Sequence, residues 1–164
     1  MNKENIILIG MPGSGKTSIG RAIAKLTNRA FYDADDYLTD MLHMPVPEYL
    51  KMHTEAEFRN TETCALSELG KLSGAVIATG GGAVVAEENR KLLRNSGFVV
   101  FLDRDIRDIA QCVGNRERPL LRTHTLAQLA EQRRSWYLDC ADAAVHDGTA
   151  EQLAEQIAEL WRKR

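Results

Sequence analysis

A glycine-rich octapeptide follows the first strongly apolar run of the sequence, Ile6-Ile7-Leu8-Ile9. It reads Gly10-Met11-Pro12-Gly13-Ser14-Gly15-Lys16-Thr17 and satisfies every fixed position of the pattern G-x-x-x-x-G-K-[S/T]. In such a loop the backbone N–H groups turn inward toward an anion, the lysine reaches the β- and γ-phosphates, and the hydroxyl ligates Mg²⁺. A chance glycine-rich turn is a weak alternative, because an apolar run precedes the motif and an amphipathic pattern follows it. We predict nucleotide binding, and we favour ATP because no Asn-Lys-x-Asp guanine signature follows.

Two aspartates stand directly after the second apolar run, Ala30-Phe31-Tyr32. In an extended chain, residues two apart point to the same side, so Asp33 and Asp35 are both expected to face the region near the phosphate loop. One carboxylate can hold Mg²⁺, and the other can orient a hydroxyl that attacks the γ-phosphate or accept its proton. The alternative is capping of a helix that runs to about Leu42, and we favour capping for Asp36 only.

These residues need a scaffold, and the sequence alternates short apolar runs with helical patterns. Three of the five runs are continuously apolar, which is typical of parallel strands covered on both faces. The runs are Ile6-Ile7-Leu8-Ile9, Ala30-Phe31-Tyr32, Ala75-Val76-Ile77-Ala78, Phe98-Val99-Val100-Phe101-Leu102 and Ala143-Ala144-Val145. The alternation predicts an open α/β sheet that binds ligands at the carboxyl ends of its strands.

The helical patterns lie between the apolar runs. Apolar residues recur at helical spacing in three segments. They include Ile19, Ala22, Ile23 and Leu26, then Leu126, Leu129 and Ala130, then Leu153, Ile157, Leu160 and Trp161. Pro45 predicts a helix end after His43, with an irregular segment at 44–47. Residues 114–119 are polar and basic, and both segments are expected to lie over a site as mobile loops.

Composition excludes several classes of protein. The 164 residues, of which 44% are hydrophobic, fit one domain with one core rather than a stapled mini-protein or a disordered chain. The net charge of −2 argues against binding nucleic acid by bulk charge. Three cysteines without C-x-x-C spacing imply no disulfide framework, and no apolar run reaches the roughly 20 residues of a membrane span. We expect a cytoplasmic protein.

Further motifs follow the loop and the aspartates in a recognisable order. They are Phe58-Arg59-x-x-Glu62, Thr79-Gly80-Gly81-Gly82 and Arg118-Pro119-Leu120-Leu121. Together, over nearly the whole chain, the sequence resembles the shikimate kinases, relatives of the nucleoside monophosphate kinases. The resemblance implies a P-loop NTPase-type three-layer α/β/α fold with a five-stranded parallel sheet. It also implies one domain over 1–164, with a short lid at about 114–124 and a substrate-binding helical segment at about 35–62.

The resemblance assigns a role to each motif residue. Asp33 is similar to the aspartate that positions Mg²⁺, together with Thr17. The nucleotide-binding residues are Gly13, Ser14, Gly15, Lys16, Thr17, Ser18 and Arg118. The residues implied to bind shikimate are Asp35, Arg59, Gly80, Gly81, Gly82 and Arg133. The implied catalytic residues are Lys16, Asp35 and Arg118, and Glu62 is implied to support Arg59.

Elementary chemistry agrees with these roles, and each residue also has a structural alternative. An arginine fork matches a planar carboxylate, and Arg59 and Glu62 are three apart on a predicted helix, where they can pair. Arg59 can also be a solvated residue, and the glycines an ordinary turn. Arg118 and Arg133 can be surface charges, and Arg134 beside Arg133 allows the register to differ by one residue.

The resemblance implies ATP-dependent phosphorylation of the shikimate 3-hydroxyl with Mg²⁺, in aromatic amino acid biosynthesis, by a monomer without nucleic-acid or membrane partners. The sequence departs from the family in three places: Gln111 stands where an arginine stacks on adenine, the segment from Arg118 to Arg133 is short, and Ser135-Trp136 precedes Tyr137. Two rival functions remain open. One is a gluconate-type small-molecule kinase, and the other is a nucleotide-binding module without turnover.

Overall fold

The protein, represented by a computed structural model, is described over residues 4–113 and 125–164. Within these ranges the chain forms five strands and eight helices. The strands are β1 (Asn5–Ile9), β2 (Ala30–Asp33), β3 (Ala75–Ala78), β4 (Gly97–Leu102) and β5 (Ala143–Val145). The helices are α1 (Lys16–Thr27), α2 (Ala34–Leu42), α3 (Val46–Met52), α4 (Glu55–Gly70), α5 (Glu87–Ser96), α6 (Ile106–Val113), α7 (Leu126–Cys140) and α8 (Ala150–Arg162).

All five predicted strands lie in one parallel sheet of order β2-β3-β1-β4-β5. Strand β1 is central, between β3 and β4, so the loop that follows it emerges in the middle of the carboxyl edge. The predicted five-stranded α/β fold is confirmed. Strands β2 and β3 lie on one side of β1, and β4 and β5 lie on the other, so the direction of winding reverses at β1. Sheets of this kind bind ligands in the crevice at that point, outside the carboxyl ends of the strands.

The continuous apolar character of β1 reflects burial on both faces of the sheet. Ile6 and Leu8 face one layer and pack with residues of α1 and α8. Ile7 and Ile9 face the other layer, which is built from α4, α5, α6 and α7. Alternate residues from Ile6 to Ile9 therefore enter two different cores, and no polar position is left among these four.

Two helices that carry predicted site residues begin at reciprocal capping boxes. At the start of α4, Thr54 Oγ1 accepts from the Glu57 N–H at 3.2 Å, and Glu57 Oε2 accepts from the Thr54 N–H at 2.7 Å. Thr125 and Gln128 form the same pair at the start of α7. Each pair satisfies two donors that a helix start otherwise leaves free, so the first turns of both helices are fixed.

The segment around Pro45 is more regular than the sequence predicts. Helix α2 ends at Leu42 as expected, with His43 in the left-handed region at φ 54°. However, α3 begins at Val46, with Pro47 in its first turn, where a missing N–H breaks no helical hydrogen bond. The prediction of an irregular segment is therefore wrong at residues 46 and 47. The predicted lid at 114–124 lies outside the described residues.

None of the helices in residues 4–113 and 125–164 is both long enough and apolar enough to cross a membrane.

Candidate active site

The phosphate loop is held in shape by its own lysine. Gly15 has φ 92°, a left-handed conformation that favours glycine, and α1 begins at the next residue. The Nζ of Lys16 donates to the carbonyl oxygens of Gly10 and Met11, at 2.8 Å each, and to the Ser14 hydroxyl at 3.3 Å. Lys16 is 8% exposed, so a concentrated positive charge lies inside the loop. The N-terminus of α1 points at the same place, which favours an anion there.

A cavity of about 200 Å³ opens at this loop and collects most of the residues predicted to bind nucleotide. It is lined by Pro12, Gly13, Gly15, Lys16, Thr17, Ser18, Asp33, Asp35, Thr79 and Gly81. Ser14 is buried.

Thr17 and Asp33 form the pair that could hold a magnesium ion. The Thr17 hydroxyl donates to Asp33 Oδ2 at 2.7 Å, although the two residues lie on different elements. Both supply hard oxygen ligands beside the phosphate cavity. Mg²⁺ in nucleotide sites binds one or two protein oxygens and completes its shell with phosphate oxygens and water, so this pair fits it.

The structure corrects the geometry predicted for the two aspartates. Strand β2 ends at Asp33 and α2 begins at Ala34, so Asp35 lies in a helical first turn and not in an extended chain. The helix cap is Asp33, whose Oδ1 accepts from the N–H groups of Asp35 at 2.9 Å and Asp36 at 3.4 Å. The capping role predicted for Asp36 is therefore wrong. Asp33 combines the cap with its contact to Thr17 because its two carboxylate oxygens face different partners.

A second cavity, of about 280 Å³, adjoins the first and brings together every residue predicted to bind the phosphate acceptor. We refer to it as the acceptor pocket. It is lined by Pro12, Asp35, Asp36, Thr39, Pro45, Val46, Pro47, Leu50, Phe58, Arg59, Glu62, Gly80, Gly81, Gly82, Leu129 and Arg133. Pro12, Asp35 and Gly81 line both cavities, so the carboxylate of Asp35 lies where an acceptor would meet a phosphoryl group.

Arg59 is an almost buried cation on the wall of the acceptor pocket. Its side chain is 12% exposed, and its Nη1 donates to Glu62 Oε1 at 2.9 Å, whereas the contact to the exposed Glu55 is longer, at 3.4 Å. Arg59 Nε is buried and lacks a hydrogen-bond partner in the described part of the chain. The guanidinium is thus oriented by Glu62 and keeps donor capacity for a ligand.

Glu62 is the buried partner that fixes this guanidinium. Burial raises the pKa of Glu62 above its ordinary value, while the Arg59 cation lowers it and the nearby Asp35 carboxylate raises it. The residue is 3% exposed, which is unusual for a glutamate without a charged partner. Glu62 therefore serves as an internal counter-ion, and the solvated alternative for Arg59 does not hold.

The glycine turn after β3 lies against two of the predicted site residues. A Cβ on Gly82 would lie 2.4 Å from Arg59 Nη1, and one on Gly80 would lie 3.0 Å from Asp35 Oδ1. Side chains at these positions would displace the groups that face the pocket. The turn is therefore packed into the site rather than being an ordinary strand-to-helix connection.

The register on α7 is settled in favour of Arg133. Arg133 is 5% exposed and lines the acceptor pocket. Arg134 projects elsewhere and forms a two-point pair with Asp103, with nitrogen–oxygen distances of 2.6 and 2.8 Å. Neighbouring residues on a helix point about 100° apart, so only one of the two can enter the pocket.

One predicted site residue is not among those that the structure describes, and sequence reasoning missed others. Arg118 lies outside the described residues, and Gln111 is exposed near the end of α6. Sequence reasoning missed the apolar wall of the pocket, formed by Val46, Leu50 and Phe58. The available signal was weak: Val46 and Leu50 are four apart, which places them on one face of a short helix.

Comparisons with known proteins agree on one family. The family model described as "Shikimate kinase" matches residues 12–162. A curated "Shikimate kinase" of Bordetella avium is 40% identical over 148 residues, which cover 87% of this chain and 71% of that protein. Among solved structures, "Shikimate kinase from Acinetobacter baumannii in complex with shikimate" is similar with a TM-score of 0.92 and 32% identity, covering 97% of this chain and 93% of that one. A gluconokinase from Sinorhizobium meliloti is similar in fold alone, with a TM-score of 0.61 and 21% identity over 99% of this chain and 97% of that one.

Proposed function

The chain belongs to the shikimate kinase family, and from this membership we propose that it transfers the γ-phosphoryl group of ATP to the 3-hydroxyl of shikimate. The products are shikimate 3-phosphate and ADP, on the route to chorismate and the aromatic amino acids. The observation that carries the proposal is the acceptor pocket, where the partly buried Arg59 and the buried Arg133 line a cavity that adjoins the phosphate cavity at Asp35.

Recognition of shikimate follows from the chemistry of the pocket. Shikimate has one planar carboxylate and three ring hydroxyls, so it needs cations at one end and hydrogen-bonding groups at the other. Arg59 and Arg133 supply the cations, and arginine matches a carboxylate through two parallel N–H donors. Asp35 and the glycine turn face the hydroxyl end, and Val46, Leu50 and Phe58 face the apolar ring.

Phosphoryl transfer depends on positioning and on neutralising charge. Lys16 and the backbone N–H groups of residues 13–17 bind the phosphates, and Thr17 with Asp33 would hold Mg²⁺. The Thr17 hydroxyl and the Asp33 carboxylate would hold the ion, which would supply positive charge against the phosphates. By resemblance to the family's lid arginine, Arg118 would bind the ATP phosphates and add a second cation near them.

Asp35 is proposed to orient the 3-hydroxyl and to accept its proton as the oxygen attacks phosphorus. Asp35 lines both cavities, so its carboxylate would be beside both reactants once they are bound. The mechanism thereby separates two functions of neighbouring aspartates, with Asp33 acting on the metal and Asp35 on the hydroxyl.

Asp35→Asn is expected to lower kcat by about 10²- to 10⁴-fold, the usual contribution of a positioned general base. The asparagine side chain has the same size as that of aspartate and leaves the first turn of α2 intact, but it lacks the basic carboxylate oxygen. The Kd for ATP, measured by calorimetry, should therefore stay within about twofold of the wild-type value. Asp40→Asn, on the exposed side of the same helix, is the matched control and should leave kcat unchanged. Loss of ATP binding in Asp35→Asn would assign this carboxylate to the nucleotide site instead.

Arg133→Ala is expected to raise the KM for shikimate by about 10- to 100-fold, because a hydrogen bond to a charged group contributes about 1.5–3 kcal/mol. The adjacent Arg134→Ala is the matched control, since Arg134 pairs with Asp103 outside the pocket. Steady-state kinetics with shikimate varied at saturating ATP measures both variants. A larger effect in Arg134→Ala would contradict the assigned register.

The choice of acceptor is tested by the rate of ADP release with shikimate, quinate, gluconate and nucleoside monophosphates under identical conditions. We expect shikimate to give the highest kcat/KM. Gluconate lacks the rigid ring that the apolar wall of the pocket accommodates, and nucleoside monophosphates lack the carboxylate that the Arg59 and Arg133 guanidinium groups match. Equal rates with gluconate would support the gluconate-type alternative. ADP release with none of these acceptors would support a nucleotide-binding module without turnover.

The remaining properties are proposed on coarser grounds. We propose Mg²⁺ as the metal, a monomeric enzyme, a cytoplasmic location, and no nucleic-acid or membrane partner. The near-neutral charge of −2 argues against binding nucleic acid by bulk charge. The absence of C-x-x-C spacing in the sequence implies no disulfide framework, which favours a reducing compartment such as the cytoplasm.

A further inference from the structure

A tyrosine that the mechanism above does not use is buried between the acceptor pocket and the phosphate loop. Tyr137 lies on α7, one turn after Arg133, and is 1% exposed. Its hydroxyl donates to the carbonyl oxygen of Gly81 at 2.5 Å and lies 3.8 Å from the sulfur of Met11. One hydroxyl therefore joins α7 to the glycine turn and touches the loop that binds phosphate.

The glycine turn that accepts this hydrogen bond also packs against the phosphate loop. A Cβ on Gly81 would lie 2.5 Å from Pro12 Cδ, so the turn already packs directly against the phosphate loop. On the same turn, Gly82 packs against the Arg59 guanidinium. The position of the Gly81 carbonyl is therefore linked to both the loop and the carboxylate-binding arginine.

The tyrosine ring is itself held rigidly. It stacks on Phe101 of β4, with ring centroids 4.9 Å apart and an angle of 17° between the planes. Burial raises the pKa of Tyr137 to about 12, and the neighbouring Arg133 cation opposes that rise, so the hydroxyl keeps its proton and stays a donor. A fixed ring places the donor at one point relative to the central sheet.

We propose that Tyr137 is a positioning residue, which sets the distance between Arg133 and the glycine turn and so fixes the shikimate-binding geometry. Arg133 and Tyr137 are one helical turn apart, so the bond from Tyr137 to Gly81 determines how far the arginine enters the pocket. The phosphate loop needs no such support, because the Lys16 Nζ bonds hold its carbonyl groups. Tyr137 thus affects binding of the acceptor more than binding of the nucleotide.

Tyr137→Phe tests the proposal, which rests on the proposed function. The variant keeps the ring and its stacking on Phe101 but leaves the Gly81 carbonyl without its donor. We expect the Kd for shikimate, measured by calorimetry, to rise about tenfold, in the range seen when a residue that supports a ligand-binding group is removed. The Kd for ATP should stay within about twofold. Tyr32→Phe, which removes the hydroxyl of a partly exposed tyrosine on β2, is the matched control.

A double-mutant cycle separates positioning from simple loss of stability. If Tyr137 acts through Arg133, then Tyr137→Phe should change the Kd for shikimate much less in an Arg133→Ala background than in the wild type. Effects that multiply independently would overturn the proposal, as would an unchanged Kd for shikimate in Tyr137→Phe with only a lower melting temperature. Should Tyr137→Phe fail to fold, Phe101→Leu removes the ring that supports the tyrosine while keeping the hydroxyl, and the same selective loss of shikimate binding is expected. Failure of the wild-type protein to bind shikimate would instead contradict the proposed function.

Discussion

Lys16→Ala is expected to lower kcat by about 10³-fold or more, the effect typical of removing a cation that stabilises charge on a transferring phosphoryl group. The ammonium group is nearly buried and bonded to the Gly10 and Met11 carbonyl oxygens, so it is preorganised inside the loop. Alanine removes the charge and leaves those carbonyl groups without their donor. The Kd for ATP should therefore rise together with the fall in kcat.

The control for Lys16→Ala is Lys25→Ala on the same helix. Lys25 is exposed in the last turn of α1, where it faces solvent and not the phosphate cavity. Circular dichroism and thermal melting should show that both variants fold. A Lys16→Ala enzyme that keeps the wild-type kcat would contradict catalysis by this loop, whereas the same loss in Lys25→Ala would point to a general change in the protein.

Arg59→Ala is expected to raise the KM for shikimate by about 100-fold or more, with a much smaller change in the KM for ATP. Arg59 lines the acceptor pocket, whereas it is not part of the phosphate cavity lining. Truncating one partner of a buried charge pair costs about 2–5 kcal/mol, which is the basis of the estimate. Arg59→Lys should give a smaller rise, since lysine keeps the charge but loses the two parallel donors.

The same variant should become less stable in a pH-dependent way, because Glu62 loses its counter-ion. Burial already raises the pKa of Glu62 above 4.5, and removing Arg59 takes away the main group that lowers it. A carboxyl group with a raised pKa in the folded state binds more protons when folded, so stability falls as the pH rises between the unfolded and the folded pKa values. In Arg59→Ala this window should extend to higher pH than in wild type.

A second substitution distinguishes these two effects of Arg59. In Arg59→Ala/Glu62→Gln the buried position is neutral at every pH, so the melting temperature should recover and its pH dependence should weaken. The high KM for shikimate should remain, because the Arg59 guanidinium that binds the shikimate carboxylate is still missing. Recovery of shikimate binding in the double variant would show that Arg59 serves mainly to neutralise Glu62. Equal rises in the KM for both substrates would likewise contradict the assigned role.

Helices and strands can be predicted from the sequence where the local pattern of apolar residues matches the burial that the folded chain gives them. The run from Ile6 to Ile9 is apolar at every position because its two faces enter different cores, and that pattern indicates a central parallel strand. The extended conformation predicted from Asp33 to Asp35 is wrong, because Asp33 caps α2 and the helix begins at Ala34. The observed cap lies three residues before the predicted cap, Asp36. An aspartate that serves as both strand end and helix cap gives no separate signal in the sequence.

The predicted site residues that the structure describes lie around one edge of the sheet, because the phosphate loop and the glycine turn directly follow the neighbouring strands β1 and β3. The sequence could not decide between Arg133 and Arg134, since the choice depends on the rotation of α7 and on the partner Asp103. It could not reveal the bond from Tyr137 to Gly81 either, because the two residues are 56 positions apart. Such contacts depend on tertiary packing and not on local spacing.

The central claim, transfer of phosphate from ATP to the 3-hydroxyl of shikimate, is tested most directly by the structure of the product. The purified protein is incubated with Mg²⁺, ATP and shikimate, and proton–phosphorus correlation NMR identifies the carbon that carries the new phosphate. We expect one new phosphate ester, correlated with the ring proton at carbon 3, together with one equivalent of ADP. Phosphate on another hydroxyl, or ADP and inorganic phosphate with shikimate unchanged, would contradict it.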